Sequence, residues 1–148
     1  MCGIIGAASS RNVGKLLVQG LHKMEYRGYD SAGIALHQKD SIFNLRTLGK
    51  VSLLEEGMIE KRPKSKLGIA HTRWATHGKP SEENAHPHYS DGEVHIVHNG
   101  IIENYLELKE NLLSAGYIFQ SETDSEVIAH LLHQHLQSSG DLLSAMHE

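Results

Sequence analysis

The only cysteine of the chain is its second residue, in MCGIIGAASS. A lone cysteine is most often a small, inert, buried hydrophobe. Position 2 changes that reading. An initiator methionine is generally removed when the next residue is small, and cysteine is small enough. The trimmed chain would begin with one residue that carries both a thiol and a free α-amine. An α-amine ordinarily titrates at about 7.7–8.0 and a thiol at about 8.5. At neutral pH part of the amine is therefore unprotonated and can take the thiol's proton. Cys2 would supply nucleophile and base together, with no separate histidine.

Three further stretches carry chemistry. HTRWATHG, from His71 to Gly78, sets Arg73 at the end of a strand-like run. VHNGIIEN puts Asn99 and Gly100 directly behind another. Asn-Gly is first of all a hairpin-turn signal. It can also form an oxyanion hole, because an Asn side-chain NH2 and a Gly backbone N–H can converge on one oxygen. SETDSE places Asp124 in a helix's first turn, where a carboxylate favours the helix dipole by a few tenths of a kcal/mol.

Elements must hold these groups in place. Cys2 to Ala8 reads as a buried strand. Asn12 to Tyr26 has helical apolar spacing, with Asn12 as N-cap. Ser31–Leu36 and Ser41–Leu48 read as strands joined by a tight turn at Gln38, Lys39 and Asp40. Val51–Glu60 reads as a short helix, Leu67–Thr72 as a strand, and EVHIVH at 93–98 as an alternating strand. Glu103–Ala115 is amphipathic and ends at Gly116. Thr123 and Glu126 form a capping box for the helix that follows, and GDLLSAMHE starts another. Hairpin signals without regular βαβ alternation predict an α+β fold with a largely antiparallel sheet.

Composition narrows the function. The net charge is -4, with no basic face for nucleic acid. No apolar run is long enough to span a bilayer, and the N-terminus has no signal-peptide pattern. One cysteine cannot form an internal disulfide, so a cytoplasmic, reducing location is expected.

Six segments, CGIIGA, EYRGYDSAGIA, HTRWATHG, NAHPH, HNGIIEN and SETDSEVIAHL, occur in this order between Cys2 and about Leu132. Together they resemble the class II glutamine amidotransferase domain, a member of the N-terminal-nucleophile hydrolases. Tyr29 and Trp74 stand where a purine-pathway branch typically has Gln and Tyr, and point instead to the branch that aminates a sugar phosphate. The resemblance implies a four-layer α-β-β-α sandwich with antiparallel sheets. It also implies that residues 1–148 are the N-terminal portion of such a domain, with the fold incomplete and the isomerase region absent.

The resemblance further implies roles for single residues. Cys2 would attack the side-chain amide of glutamine, with Asn99 and the Gly100 N–H holding the oxyanion. Arg73 would bind the α-carboxylate and Asp124 the α-ammonium. Trp74, Thr76 and His77 would shape or cover the pocket. His86 would order its loop, and Arg27 would position the N-terminus from behind. Glutamine is the implied substrate, giving glutamate and ammonia through a thioester on Cys2. No cofactor and no metal are implied. In the longer protein, an isomerase domain would use the ammonia to aminate fructose-6-phosphate, within a homo-oligomer.

Other readings compete. Twelve histidines, dense from His71 to His98, raise the option of a metal-binding protein, but their spacing matches no common zinc signature. They read instead as surface and loop histidines. A shortened chain could also be an inactive fragment or a binding module. Asparagine synthetases and glutamate synthases share the Cys-Gly start, but the RGYDSAG and Trp74 context disfavours both.

Overall fold

A computed structural model describes residues 2–28, 30–74 and 78–147 of the chain. Strand β1 (Gly3–Ala8) is followed by helix α1 (Gly14–Met24) and a 3-10 turn over Glu25–Arg27. Strands β2 (Ser31–His37) and β3 (Ile42–Leu48) form a hairpin, then come α2 (Val51–Lys61) and β4 (Leu67–Arg73). The second half holds β5 (His88–Ser90), β6 (Val94–Ile96), α3 (Tyr105–Ser114), α4 (Glu126–Ser139) and the short α5 (Leu142–Ala145).

Two antiparallel sheets result, one of order β1-β4-β2-β3 and one β5-β6 ladder. The fold is α+β with antiparallel sheets, as the hairpin signals predict. Period-two alternation sorts the larger sheet's side chains. Ala32, Ile34, Leu36 and Ala70 enter the core beneath α1 and α2, with Leu17, Leu21, Val51 and Leu54. Gly33 and His71, paired in register, therefore face the other way, as does Arg73 opposite Ser31. That face meets the segment leading into β5, since Arg46 on β3 donates to the carbonyls of Glu83 and Ala85. Helix α4 lies against β5 and β6, with α3 beside it. Helices, sheet, ladder and helices thus stack in four layers.

At Gly33 the layers touch closely. A Cβ there would stand 2.1 Å from the carbonyl oxygen of His86. The obstacle is backbone, so it cannot swing aside. We expect Gly33→Ala to cost about 3 kcal/mol, the upper end of ordinary overpacking. A fall in the urea midpoint checks this, and an unchanged midpoint would mean the His86 segment moves freely.

Three local expectations are corrected. Asn12 is not the N-cap of α1, which is Val13. Its side-chain oxygen instead accepts from the N–H groups of Gly14 and Ser65, at 3.4 and 3.0 Å, tying the start of α1 to the chain before β4. The capping box at Thr123 and Glu126 does not form. The Glu126 carboxylate accepts from the backbone N–H groups of Gln120 and Ser121, while the Thr123 hydroxyl pairs with Ser121 and His88. Finally, the EVHIVH alternation yields a strand only over Val94–Ile96, the part with a partner in β5. No helix among the described residues is long and apolar enough to cross a membrane.

Candidate active site

Cys2 lies one residue before β1, so alternation turns it to the same face as His71 and Arg73. Its sulfur accepts the backbone N–H of Trp74 at 3.2 Å, and the Trp74 carbonyl lies 3.6 Å away. The Trp74 side chain itself is 56% exposed. β1 and β4 pair along their length, so the ladder fixes where the sulfur sits.

Asn99 and Gly100 follow β6 and lead into α3, not into a paired strand. The hairpin-turn reading of this dipeptide therefore fails. The Asn99 side-chain oxygen meets His71 Nε2 at 2.9 Å, and its NH2 donates to the carbonyl of Cys2 at 3.4 Å. At Gly100 a Cβ would stand 2.6 Å from His98 Nε2, whose ring is held at Nδ1 by Ser125 at 3.0 Å. A side chain at this position would have to push that ring aside.

Asp124 precedes α4 and is 4% exposed. Its Oδ2 accepts the N–H of Ile102 at 2.7 Å, which ties its loop to the one carrying Asn99 and Gly100. Arg73 ends β4, also 4% exposed. Its guanidinium donates to the carbonyls of Gly78 and Lys79 at 3.2 and 3.4 Å, and lies 3.9 Å from the Asp30 carboxylate. Cys2, Arg73, Asn99, Gly100 and Asp124 all line one open cavity of about 450 Å³. Trp74, Arg27 and His86 border it too. Thr76 and His77 lie outside the described residues.

The cavity has further walls that sequence reasoning did not select: His71, His98, Ile101, Thr123 and Ser125. The available signal was positional. His71 stands two residues before Arg73 on one strand, and so shares its face.

The expectation of surface histidines fails for His71, His86 and His88, which are buried, although His86 does lie in the loop before β5. Their rings form a ladder, with centroids 4.3 Å apart for His71 and His86 and 4.4 Å for His86 and His88. His88 Nε2 meets the Thr123 hydroxyl at 2.9 Å. A continuous buried path therefore runs from Asn99 to the residue beside Asp124. Burial pulls His71 down to about 4, helped by the neighbouring Arg73 charge. Burial and the adjacent imidazoles hold His86 well below its ordinary value. Burial takes His88 down to about 3 against the opposing pull of Glu126. Burial alone would raise Glu126, but hydrogen bonds around it prevail and hold it at about 2. Among the described residues, no group of three or more His, Cys, Asp or Glu is arranged to hold a metal ion.

These imidazoles make stability depend on pH. Below the ordinary value of 6.5 the unfolded chain takes up protons that the folded chain refuses. Stability is therefore highest above pH 6.5 and falls toward pH 4. From pH 7 to pH 5, His71 alone should remove about 2 kcal/mol. Glu126 adds a second loss only as pH falls from 4.5 toward 2. Urea titrations at pH 7 and pH 5 check the first loss, and equal midpoints would contradict it.

A sulfur, an amide NH2 and a backbone N–H in one cavity can together attack a carbonyl and hold its oxyanion. Comparisons with known proteins agree with that chemistry. The family model described as a glutamine amidotransferase domain matches residues 71–147. The chain is 56% identical over 147 residues to glutamine–fructose-6-phosphate aminotransferase [isomerizing] of Pseudomonas aeruginosa, covering 99% of this chain and 24% of that protein. It is 53% identical over 148 residues to the enzyme of the same name from Acinetobacter baylyi, covering 100% of this chain and 24% of that protein. The chain thus spans about a quarter of the length of these curated relatives. Among solved structures, the glutamine phosphoribosylpyrophosphate amidotransferase of B. subtilis, complexed with ADP and GMP, superposes with a TM-score of 0.78 at 27% identity, covering 99% of this chain and 31% of that one. A structure of the allosteric regulatory enzyme of purine biosynthesis gives 0.80 at 28% identity, covering 99% and 32%. The family match spans more than half of the chain, which belongs to the glutamine amidotransferase domain family.

Proposed function

We propose that the chain hydrolyses the side-chain amide of glutamine through a thioester on Cys2. The observation that carries this reading is the convergence of Cys2, Asn99, Gly100, Arg73 and Asp124 on one cavity. After loss of Met1, the α-amine of Cys2 takes the thiol proton, and the sulfur attacks the amide carbon. Asn99 Nδ2 and the Gly100 N–H receive the oxyanion. The intermediate collapses, the ammonium gives its proton to the departing nitrogen, and ammonia leaves. Water, deprotonated by the same amine, then attacks the thioester and frees glutamate and the thiol.

Arg73 holds the α-carboxylate and Asp124 the α-ammonium. Opposite charges at a set distance from the sulfur select a free amino acid over a peptide-bound glutamine. Trp74 shapes the pocket, while His86 and Arg27 support it. No cofactor takes part. In a longer protein of the kind that the curated relatives represent, the ammonia passes to an isomerase domain and aminates fructose-6-phosphate. That protein works in the cytoplasm as a homo-oligomer.

The test is direct. The Met1-trimmed chain incubated with glutamine should release glutamate and ammonia in equal amounts. Absence of both, with folded protein, overturns the reading.

A further inference from the structure

The two ends of an asparagine amide have nearly the same shape but opposite hydrogen-bonding character. Only the NH2 end can hold an oxyanion; the oxygen end would repel it. Something must therefore decide which end of Asn99 faces the reacting carbonyl. We propose that His71 is a positioning residue for the oxyanion hole: its Nε2–H donates to Asn99 Oδ1 and leaves the NH2 directed toward Cys2. This rests on the reading of Asn99 as an oxyanion donor.

The two contacts of Asn99 carry the argument. Its oxygen meets His71 Nε2 at 2.9 Å, and its nitrogen meets the Cys2 carbonyl at 3.4 Å. Turning the amide over would set its oxygen against the Cys2 carbonyl oxygen, two acceptors facing each other. With the NH2 on Cys2, both contacts are attractive, provided that His71 carries its proton on Nε2. Burial keeps the ring neutral, with one proton to place, and Nε2 meets the Asn99 oxygen while Nδ1 has no hydrogen-bond partner among the described residues. The ring is 1% exposed, so its surroundings hold it in place against the Asn99 oxygen. β4 lies between β1 and β2 and pairs His71 with Ile4 and Gly33, and the tilted His86 ring packs against it. Asn99 sits in a loop, so its orientation comes from the strand.

Two nearly isosteric variants separate positioning from packing. Glutamine at 71 keeps a side-chain N–H donor, whereas methionine does not. We expect His71→Met to lower kcat for glutamine by about 10²-fold, the effect of losing one oxyanion donor, with KM within about threefold. His71→Gln should recover at least about tenfold of that loss. Alkylation of Cys2 by iodoacetamide, which builds no oxyanion, should keep its rate in both variants. The idea is overturned if His71→Met retains parental kcat, if His71→Gln does no better, or if alkylation falls in step with turnover. A readout without variants guards against a misfolded methionine chain. Long-range nitrogen–proton NMR spectra of the parent should show His71 protonated on Nε2, and an Nδ1–H tautomer would overturn the proposal. If the parent chain does not turn over glutamine at all, the functional reading itself fails, and this inference with it. That failure shows in the parent alone, independently of the His71 variants.

Discussion

Cys2→Ala should release no glutamate from glutamine, a loss of about 10⁴-fold or more, as expected when the nucleophile of a covalent mechanism is removed. The chain has no other cysteine to take its place. The sulfur is held by the Trp74 N–H at 3.2 Å, at the head of a strand whose register is set by β4. An alanine leaves that backbone unchanged, so the variant should fold and bind glutamine while failing to react. A chain that keeps Met1 should be equally inactive, because its Cys2 nitrogen is an amide and not a base. Glutamate assays on the parent, on Cys2→Ala and on a Met1-retaining form read these outcomes together. Turnover by the alanine variant would remove Cys2 from the mechanism.

Asp124→Asn should lower kcat/KM for glutamine by about 10²–10³-fold, the range for removing one partner of a buried charge pair. Asparagine keeps an oxygen for the Ile102 N–H, which the carboxylate accepts at 2.7 Å. The link between the two loops therefore survives, and what is lost is the charge opposite the α-ammonium. A substrate without that ammonium, such as N-acetylglutamine, distinguishes the two roles. It should react poorly with the parent chain, and the substitution should change its rate little. If both substrates lose equally, Asp124 serves only to hold the loop. Asp124→Ala removes the Ile102 contact as well, and should lose kcat beyond the asparagine variant.

Much of this site is legible in the order of the amino acids, and the reason is physical. Cys2 is marked by its position, since an α-amine exists only at a chain end. Arg73, Asn99 with Gly100, and Asp124 each sit at the end of a strand or the start of a helix, where side chains border clefts. His71 carries no such mark. It is one of twelve histidines, and its value lies in a contact with a residue 28 positions away. The run from His86 to His88 reads as loop because its burial is tertiary. It comes from β2, where Gly33 admits the His86 carbonyl. The capping box fails for a related reason. Local spacing allowed Glu126 to reach back to its own helix, but the chain at Gln120 and Ser121 offered two N–H donors and a hydroxyl. Tertiary partners outcompeted the local one.

The measurement that bears most directly on the central claim is covalent labelling by a glutamine analogue bearing an electrophilic diazoketone in place of the amide. Peptide mass spectrometry of the treated chain should find the label on the sulfur of Cys2, in a peptide that begins with Cys2, and excess glutamine should block it. Label on any other residue, or glutamine turnover with Cys2 left unmodified and unprotected, would contradict the account.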